Sequence, residues 1–362
     1  MPDAPPPATT PNTSPLRLVA VVIGLVIVAL LAFQIADSQM RGSADETSQL
    51  TMRAIGLTSP TVNELDAAFI DSNRDLVADG PADADAAIDP ETLVFSFIPT
   101  KGNDERYMEV FADFTSFLSD RIGRPVKAVA FESSDDQMRA LRNGDLHVTL
   151  FNTGAVPIAV NAAGFVPAGA PGLGEPQSYR MLIIVPTASP IQQVADLRGR
   201  ELTLTHPNSN SGYKAPIVTL YYDFKMKPNQ DYLIVSSWGH ETSIRDIVAG
   251  EAEAAAVASD LLDRMIASGR ISSSDFRVVY QSPPFPSAAI GYSALLNDEL
   301  KSQITNAIGE FNFTGTSLAE EYPATRADRF APVSYKDDFA LVRRIDDAIG
   351  FEHKLDEPVT LN

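Results

Sequence analysis

From Glu91 onward the chain alternates between strand-length apolar runs and segments with helical spacing, and this alternation limits its fold more than any other feature. "TLVFSFIP" (92–99) reads as a buried strand, and "RYMEVFADFTSFLSDRIG" (106–123) carries apolar residues at helical intervals. "PVKAVAF" is a second strand. "SSDDQMRALRNG" is a helix opened by serine and aspartate and stopped by glycine, and "LHVTLF" (146–151) is a third strand. After the strand "YRMLIIVP" (179–186) the order repeats: strand "ELTLT", a polar turn, helix "APIVTLYYDF", strand "YLIVSS", helix "IRDIVAG" and strand "EAAAVA". Strand–helix alternation of this kind implies sheets with helices on both faces.

Two such units joined by crossings near 180–187 and 281–290 make a clamshell. The fold class expected is therefore α/β and two-lobed, each lobe a mostly parallel sheet flanked by helices, with a two-stranded hinge. Residues 91–182 and 287–362 form lobe I and 183–286 lobe II. Helical segments at 298–313 and 336–350 end the chain.

The N-terminal quarter reads differently. Residues 1–17 are rich in proline and threonine and are expected as a disordered tail. Leu18 to Ala36 form an apolar run broken only by Gln34, long enough to span a hydrocarbon core. An uncleaved anchor is the favoured reading and a signal peptide the alternative, since Gln34 fits a cleavage site poorly. Arg17 before the run and acidic sequence after it place the N-terminus inside and the bulk outside, in the periplasm. Residues 37–90 carry eleven acidic residues against three arginines, the composition of an extended linker. Within it Asp71, Asn73, Asp75 and Asp79 occupy positions 1, 3, 5 and 9 of a calcium-loop pattern. Leu76 and Ala82 stand where glycine and glutamate are usual, and a solvated acidic turn is the competing reading. Apart from such a structural calcium, no cofactor is expected.

The net charge of −19 removes the basic face that a nucleic acid would need. The chain has no cysteine, which excludes disulfides and thiolate chemistry. The phosphate-loop, dinucleotide, zinc-helix and serine-elbow motifs are all missing, so an enzyme is not expected.

Ligands of open α/β sheets sit beyond the carboxyl ends of the strands. Four strand-end loops would meet there: "PTKGN" with Thr100, "NTG" with Asn152 and Thr153, "HPNSNSG" with Ser209, Asn210, Ser211 and Gly212, and "SSWGHETS" with Trp238 and His240. Of these loops only the first presents a cation at its tip, Lys101. In "HPNSNSG" serine and asparagine fill more positions than one helix cap needs, and a glycine lets the backbone approach closely. Free N–H groups at such a helix start suit an oxyanion. Helix capping alone is the plainer alternative.

The stretches "ALRNGDLHVTLFNTG", "SYRMLIIVPTASPIQQVADLRGRELTLTHPNSNSGYKAP", "SSWGHETSIRDIVAGEAEAAAV" and "VVYQSPPFP" follow one another in this order. Over about 92–315 the chain resembles the PhnD-like substrate-binding components of phosphate, phosphite and phosphonate ABC transporters. The resemblance implies a type II-like periplasmic binding protein that captures a phosphorus oxyanion and delivers it to an ABC permease, a monomer being the default for such receptors; the apolar run 18–36 is what would tether it to the membrane. It implies Ser209, Asn210 and Ser211 on the anion oxygens, with His240 as a further donor. Ser134 and Val156 fall where family members carry tyrosines, and Ala258 where an aspartate is usual, with Asp260 two positions on. These departures favour a small inorganic oxyanion or an altered specificity. Glu241 and Asp260 are candidate acceptors for a protonated ligand. A ligand-sensing or scaffolding module that regulates a membrane partner is the alternative.

Overall fold

The computed structural model describes residues 64–99, 102–237, 239–322 and 326–350, with 353 and 355. The expected anchor at 18–36, Thr100, Lys101 and Trp238 lie outside the described residues. Among the described residues no helix is long and apolar enough to cross a membrane.

The chain starts with a short antiparallel pair, β1 (Phe69–Ile70) and β2 (Gly80–Pro81), and enters the first sheet at β3 (Leu93–Ser96). Helices α1 (Asp104–Val110) and α2 (Ala112–Ile122) lead to β4 (Val126–Val129), and α3 (Ser134–Asn143) leads to β5 (Val148–Phe151). Ser133 caps α3 by accepting from Asp136 N, and Gly144, at φ 80°, ends it in the left-handed conformation. Then come α4 (Val156–Ala163), β6 (Phe165–Leu173) and β7 (Glu175–Pro176). Every residue of α4 is buried, in keeping with its apolar composition all round; Asn161 is its one polar side chain.

The second lobe begins with β8 (Ser178–Pro186) and β9 (Glu201–Leu204). A π-helical turn, Asn210–Lys214, runs directly into α5 (Ala215–Tyr222), and β10 (Leu233–Ser236), α6 (His240–Ala249), β11 (Ala255–Ala258), α7 (Ser259–Ala267) and β12 (Phe276–Pro286) follow. The chain returns through β13 (Ala289–Ser293), α8 (Asp298–Glu310), α9 (Leu318–Glu321) and β14 (Arg329–Pro332), and closes with α10 (Tyr335–Asp338) and α11 (Ala340–Ile349).

Both sheets are mixed rather than mostly parallel. The first runs β14-β6-β13-β5-β3-β4, with only β3–β4 and β3–β5 parallel. Strand β13, returning from the second lobe, inserts antiparallel between β5 and β6. The second sheet runs β10-β9-β11-β8-β12; its first three strands are parallel, and the crossing strands β8 and β12 pair antiparallel. A strand that carries the chain between lobes must run against its neighbours, which local periodicity does not reveal.

Two segment assignments change. Residues 64–90, expected as linker, pack on lobe I. Phe69 is buried with Ala78 and Ala294, and its ring lies so close to Gly164 that an added Cβ there would sit 2.3 Å away. One buried aromatic ring offsets the mutual repulsion of the carboxylates. The C-terminal helices, expected in lobe I, pack on lobe II: Tyr335, Phe339, Val342 and Ile345 join the cluster of Val218 and Leu220, and Tyr222 donates to Ala348 O at 3.4 Å. The outer face of the first sheet is already covered by α2 and α8, so the apolar stripe of α11 finds its partner in the other lobe.

Candidate functional site

The polar turn after β9 is gripped from within lobe II. Ser209 Oγ accepts from Gly212 N at 3.1 Å, so Ser209 serves as the helix cap of the plainer alternative reading. The same oxygen lies 3.2 Å from Nε2 of His240, the first residue of α6. Gly212 has no alternative here, because an added Cβ would stand 1.9 Å from Thr205 Oγ1 and 2.7 Å from His240 Cε1. Close packing of the turn on the histidine therefore depends on a missing side chain.

His240 is neutral at pH 7, since burial pushes its imidazole down to about 4 while the carboxylate of Asp260 opposes the shift. Ser209 Oγ accepts from Gly212 N–H and has one lone pair and one proton left, so it either donates to the neutral ring at Nε2 or accepts from it, according to the tautomer. When Ser209 is the donor the ring proton lies on Nδ1, a buried atom with no hydrogen-bond partner among the described residues. Thr205 Oγ1 and Asn210 Oδ1, on the same turn, are also buried and without a partner among the described residues. Among the described residues, the N–H groups of Asn210 and Ser211, at the start of the π-helical turn, meet no backbone acceptor outside their own helix. Unmet hydrogen-bonding capacity is thus concentrated where a π-helical turn begins, a feature that often marks function.

Lobe I contributes the loop after β5. Asn152 turns back to its own helix, its Oδ1 accepting from Ala155 N at 3.1 Å. Thr153 Oγ1 donates to Pro286 O on the returning strand at 2.9 Å. Gly154 presses directly on the turn of lobe II, where an added Cβ would lie 2.2 Å from Asn208 O and 2.6 Å from Asn210 N.

Tyr179, at the lobe I end of β8, is the residue that the sequence reading passed over. Its buried hydroxyl accepts from Asn210 Nδ2 at 3.3 Å and lies close enough to the side chains of Thr153 and Ser211 to be influenced by both. It therefore joins both lobes' loops through one oxygen. Burial raises its pKa, and the charge of Asp260 adds to that rise. The residue stood in plain view within "SYRMLIIVP" as the strand's one aromatic hydroxyl.

The remaining candidates separate. Ser134 occupies the first turn of α3 beside Asp135, whose Oδ1 accepts a 3.5 Å bond from Asn208 Nδ2 across the lobes. Glu241 is half-exposed and pairs with Arg245 and Arg270, away from the turn. Asp260 acts electrostatically on Tyr179, His240 and Tyr322, so it belongs to the cleft. Asp71, Asp75 and Asp79 spend their oxygens on the loop's own N–H groups: Asp71 accepts from Asp75 N and Leu76 N, Asp75 from Val77 N, and Asp79 from Ser72 N. Asn73 accepts from Asp75 N and donates to Asp75 Oδ2. Among the described residues no group of three or more histidine or acidic side chains is placed to hold a metal ion.

Residues 95–339 match the family model described as ABC transporter, phosphonate, periplasmic substrate-binding protein. The chain belongs to this family; it is a substrate-binding protein rather than a member of an enzyme class, and the family places it outside the cytoplasm. Solved structures share the fold at low identity. PhnD1 from Prochlorococcus marinus, in complex with methylphosphonate, is 16% identical with a TM-score of 0.61, covering 72% of this chain and 99% of its own. A binding-protein component of an ABC phosphonate transporter from Pseudomonas aeruginosa is 18% identical with a TM-score of 0.60, covering 71% and 86%. A Xanthomonas citri protein bound to ATP is 17% identical with a TM-score of 0.60, covering 72% and 100%.

Proposed function

We propose that the protein captures a small phosphorus oxyanion at the turn 209–212 and releases it to an ABC permease, tethered to the membrane through residues 18–36. The observation that supports this most is the set of buried, unpaired hydrogen-bonding atoms around the turn, Thr205 Oγ1, Asn210 Oδ1 and His240 Nδ1. A buried polar atom without a partner costs about 1–3 kcal/mol, and a ligand that meets several of them recovers that cost. In this reading the oxygens of the anion are held by Ser211 Oγ, the N–H groups of Asn210 and Ser211, and the Nδ1–H of the neutral His240. Asn210 Oδ1 can only accept, so it selects a protonated ligand oxygen, which favours phosphorus oxyanions over sulfate. Tyr179 sets the spacing between the loops of the two lobes.

Calorimetric titration of the full chain with phosphate, phosphite, methylphosphonate, 2-aminoethylphosphonate and sulfate tests this. Binding of one phosphorus ligand in the micromolar range or tighter, with sulfate rejected, is expected. Ser211→Ala should weaken that binding by about 1–3 kcal/mol. Absence of binding across the panel would reduce the turn to a capped helix start.

A further inference from the structure

The ammonium group adjoining this turn does not face the turn's donors. Lys214 ends the π-helical turn with its side chain fully buried. Its Nζ donates to Gly154 O in lobe I at 2.9 Å and stands 2.8 Å from Asp346 Oδ1 on α11. The second oxygen of Asp346 lies 2.8 Å from His353 Nε2. His353 Nδ1, in turn, lies 2.8 Å from Asn161 Nδ2. Asn161 and Gly154 are both in lobe I, within α4 and just before it.

The polar chain therefore leaves lobe I at Asn161, passes through the C-terminal segment and the turn of lobe II, and re-enters lobe I at Gly154. Both charged members are wholly shielded from water, with side-chain exposures of 0% and 0%. A buried pair of this kind tolerates little displacement, because each charge has given up its hydration and depends on its remaining partners. Movement of Gly154 away from Asn210 would take an acceptor from the Lys214 ammonium, and movement of α4 would strip His353 of Asn161. The ammonium keeps both Gly154 O and Asp346, and the imidazole both Asp346 and Asn161, only when the lobes are together.

We propose that Lys214 is a positioning residue, and that the chain Lys214–Asp346–His353 is a latch by which the C-terminal segment holds the ligand loop of lobe I against the oxyanion turn of lobe II. The ligand-affinity consequence rests on the function proposed above; the closure itself does not.

The double variant Lys214→Met/Asp346→Leu removes both charges at once, so neither is left buried alone. The chain has no native cysteine, so Ser116→Cys on α2 and Ala249→Cys on α6 admit spin labels at those positions only. Interlobe distances in the full chain are then measured by dipolar spectroscopy, without ligand and with methylphosphonate. The expected result is a cooperatively folded double variant whose ligand-free distances are longer and broader than those of the native chain, with methylphosphonate leaving at least tenfold faster. A folded double variant with native distances and native dissociation would overturn the latch. If the double variant does not fold, Asn161→Ala cuts the chain at its lobe I end, and the same distances decide in the same way. If the native chain binds no methylphosphonate, the ligand-free distances still judge the latch, and the receptor reading is judged separately by the full titration panel.

Discussion

The two lobes meet along two seams that use similar side chains in opposite surroundings. At the inner seam Lys214, Asp346, Gly154 and Asn210 are buried, with distances of 2.8–2.9 Å around the ammonium. At the outer seam Arg326 of lobe I pairs with Asp263 of α7, and Arg264 reaches Glu321 of α9 at 3.7 Å. The Arg326 and Asp263 side chains remain 37% and 48% exposed. Water competes for the Arg326–Asp263 pair and can replace either partner when the lobes part, so this contact is worth little to closure. At the inner seam nothing replaces a lost partner. The seam beside the turn 209–212 is thus the more demanding of the two, and the seam beside α7 the more tolerant of displacement.

The largest effect that this contrast predicts comes from leaving one buried charge alone. Lys214→Met should destabilise the chain by about 3–5 kcal/mol, read as the midpoint shift in urea, and adding Asp346→Leu should recover most of it. A single variant with native stability would mean that the inner seam is no more demanding than the outer one.

Gly154→Ala should prevent full closure, since its Cβ would meet Asn208 O and Asn210 N at 2.2 and 2.6 Å. Each lobe should keep its own fold, and binding of the oxyanion should fall at least tenfold, about 1.4 kcal/mol. Unchanged calorimetric affinity would remove Gly154 from the closed contact.

The acid response of the inner site has a definite sign. His240 has its folded-state pKa depressed to about 4 from an ordinary 6.5. Between these values the unfolded chain binds the proton more readily, so this contribution to stability is complete above pH 6.5 and is lost as the pH falls toward 4. His240→Gln should flatten the dependence of the melting temperature over that window. An equal slope in the variant would assign the acid response to other groups.

Arg326→Ala, at the outer seam, should cost no more than about 1 kcal/mol in stability and should leave oxyanion affinity nearly native. A loss as large as that of Lys214→Met would erase the distinction between the seams.

Much of this molecule follows from local chemistry that a linear reading captures. The strands at 93–96, 148–151, 178–186 and 201–204 are short apolar runs bounded by polar or glycine-containing turns. Helix α3 is bracketed by a serine cap and a left-handed glycine. Ser209, Asn210, Ser211, Gly212 and His240 stood out because strand-end loops dense in small polar residues have few purely structural uses, and the structure brings them together. Each of these signals acts within one turn or one strand, so neighbouring residues are enough to reveal it.

Other features were decided by tertiary structure alone, because they depend on partners far apart in the chain. The mixed sheets arise where β8, β12 and β13 cross between lobes, and direction relative to a distant neighbour leaves no trace in periodicity. Phe69 turns an acidic stretch into part of lobe I because Ala78, Ala294 and Gly164 offer its ring a place. Tyr179 looks like one more apolar strand residue until Thr153 and Asn210 approach its hydroxyl from opposite lobes. Lys214 followed by an alanine and a proline suggests an exposed helix start. Only α11, arriving from the end of the chain, sets Asp346 beside it and allows an ammonium group to be buried there.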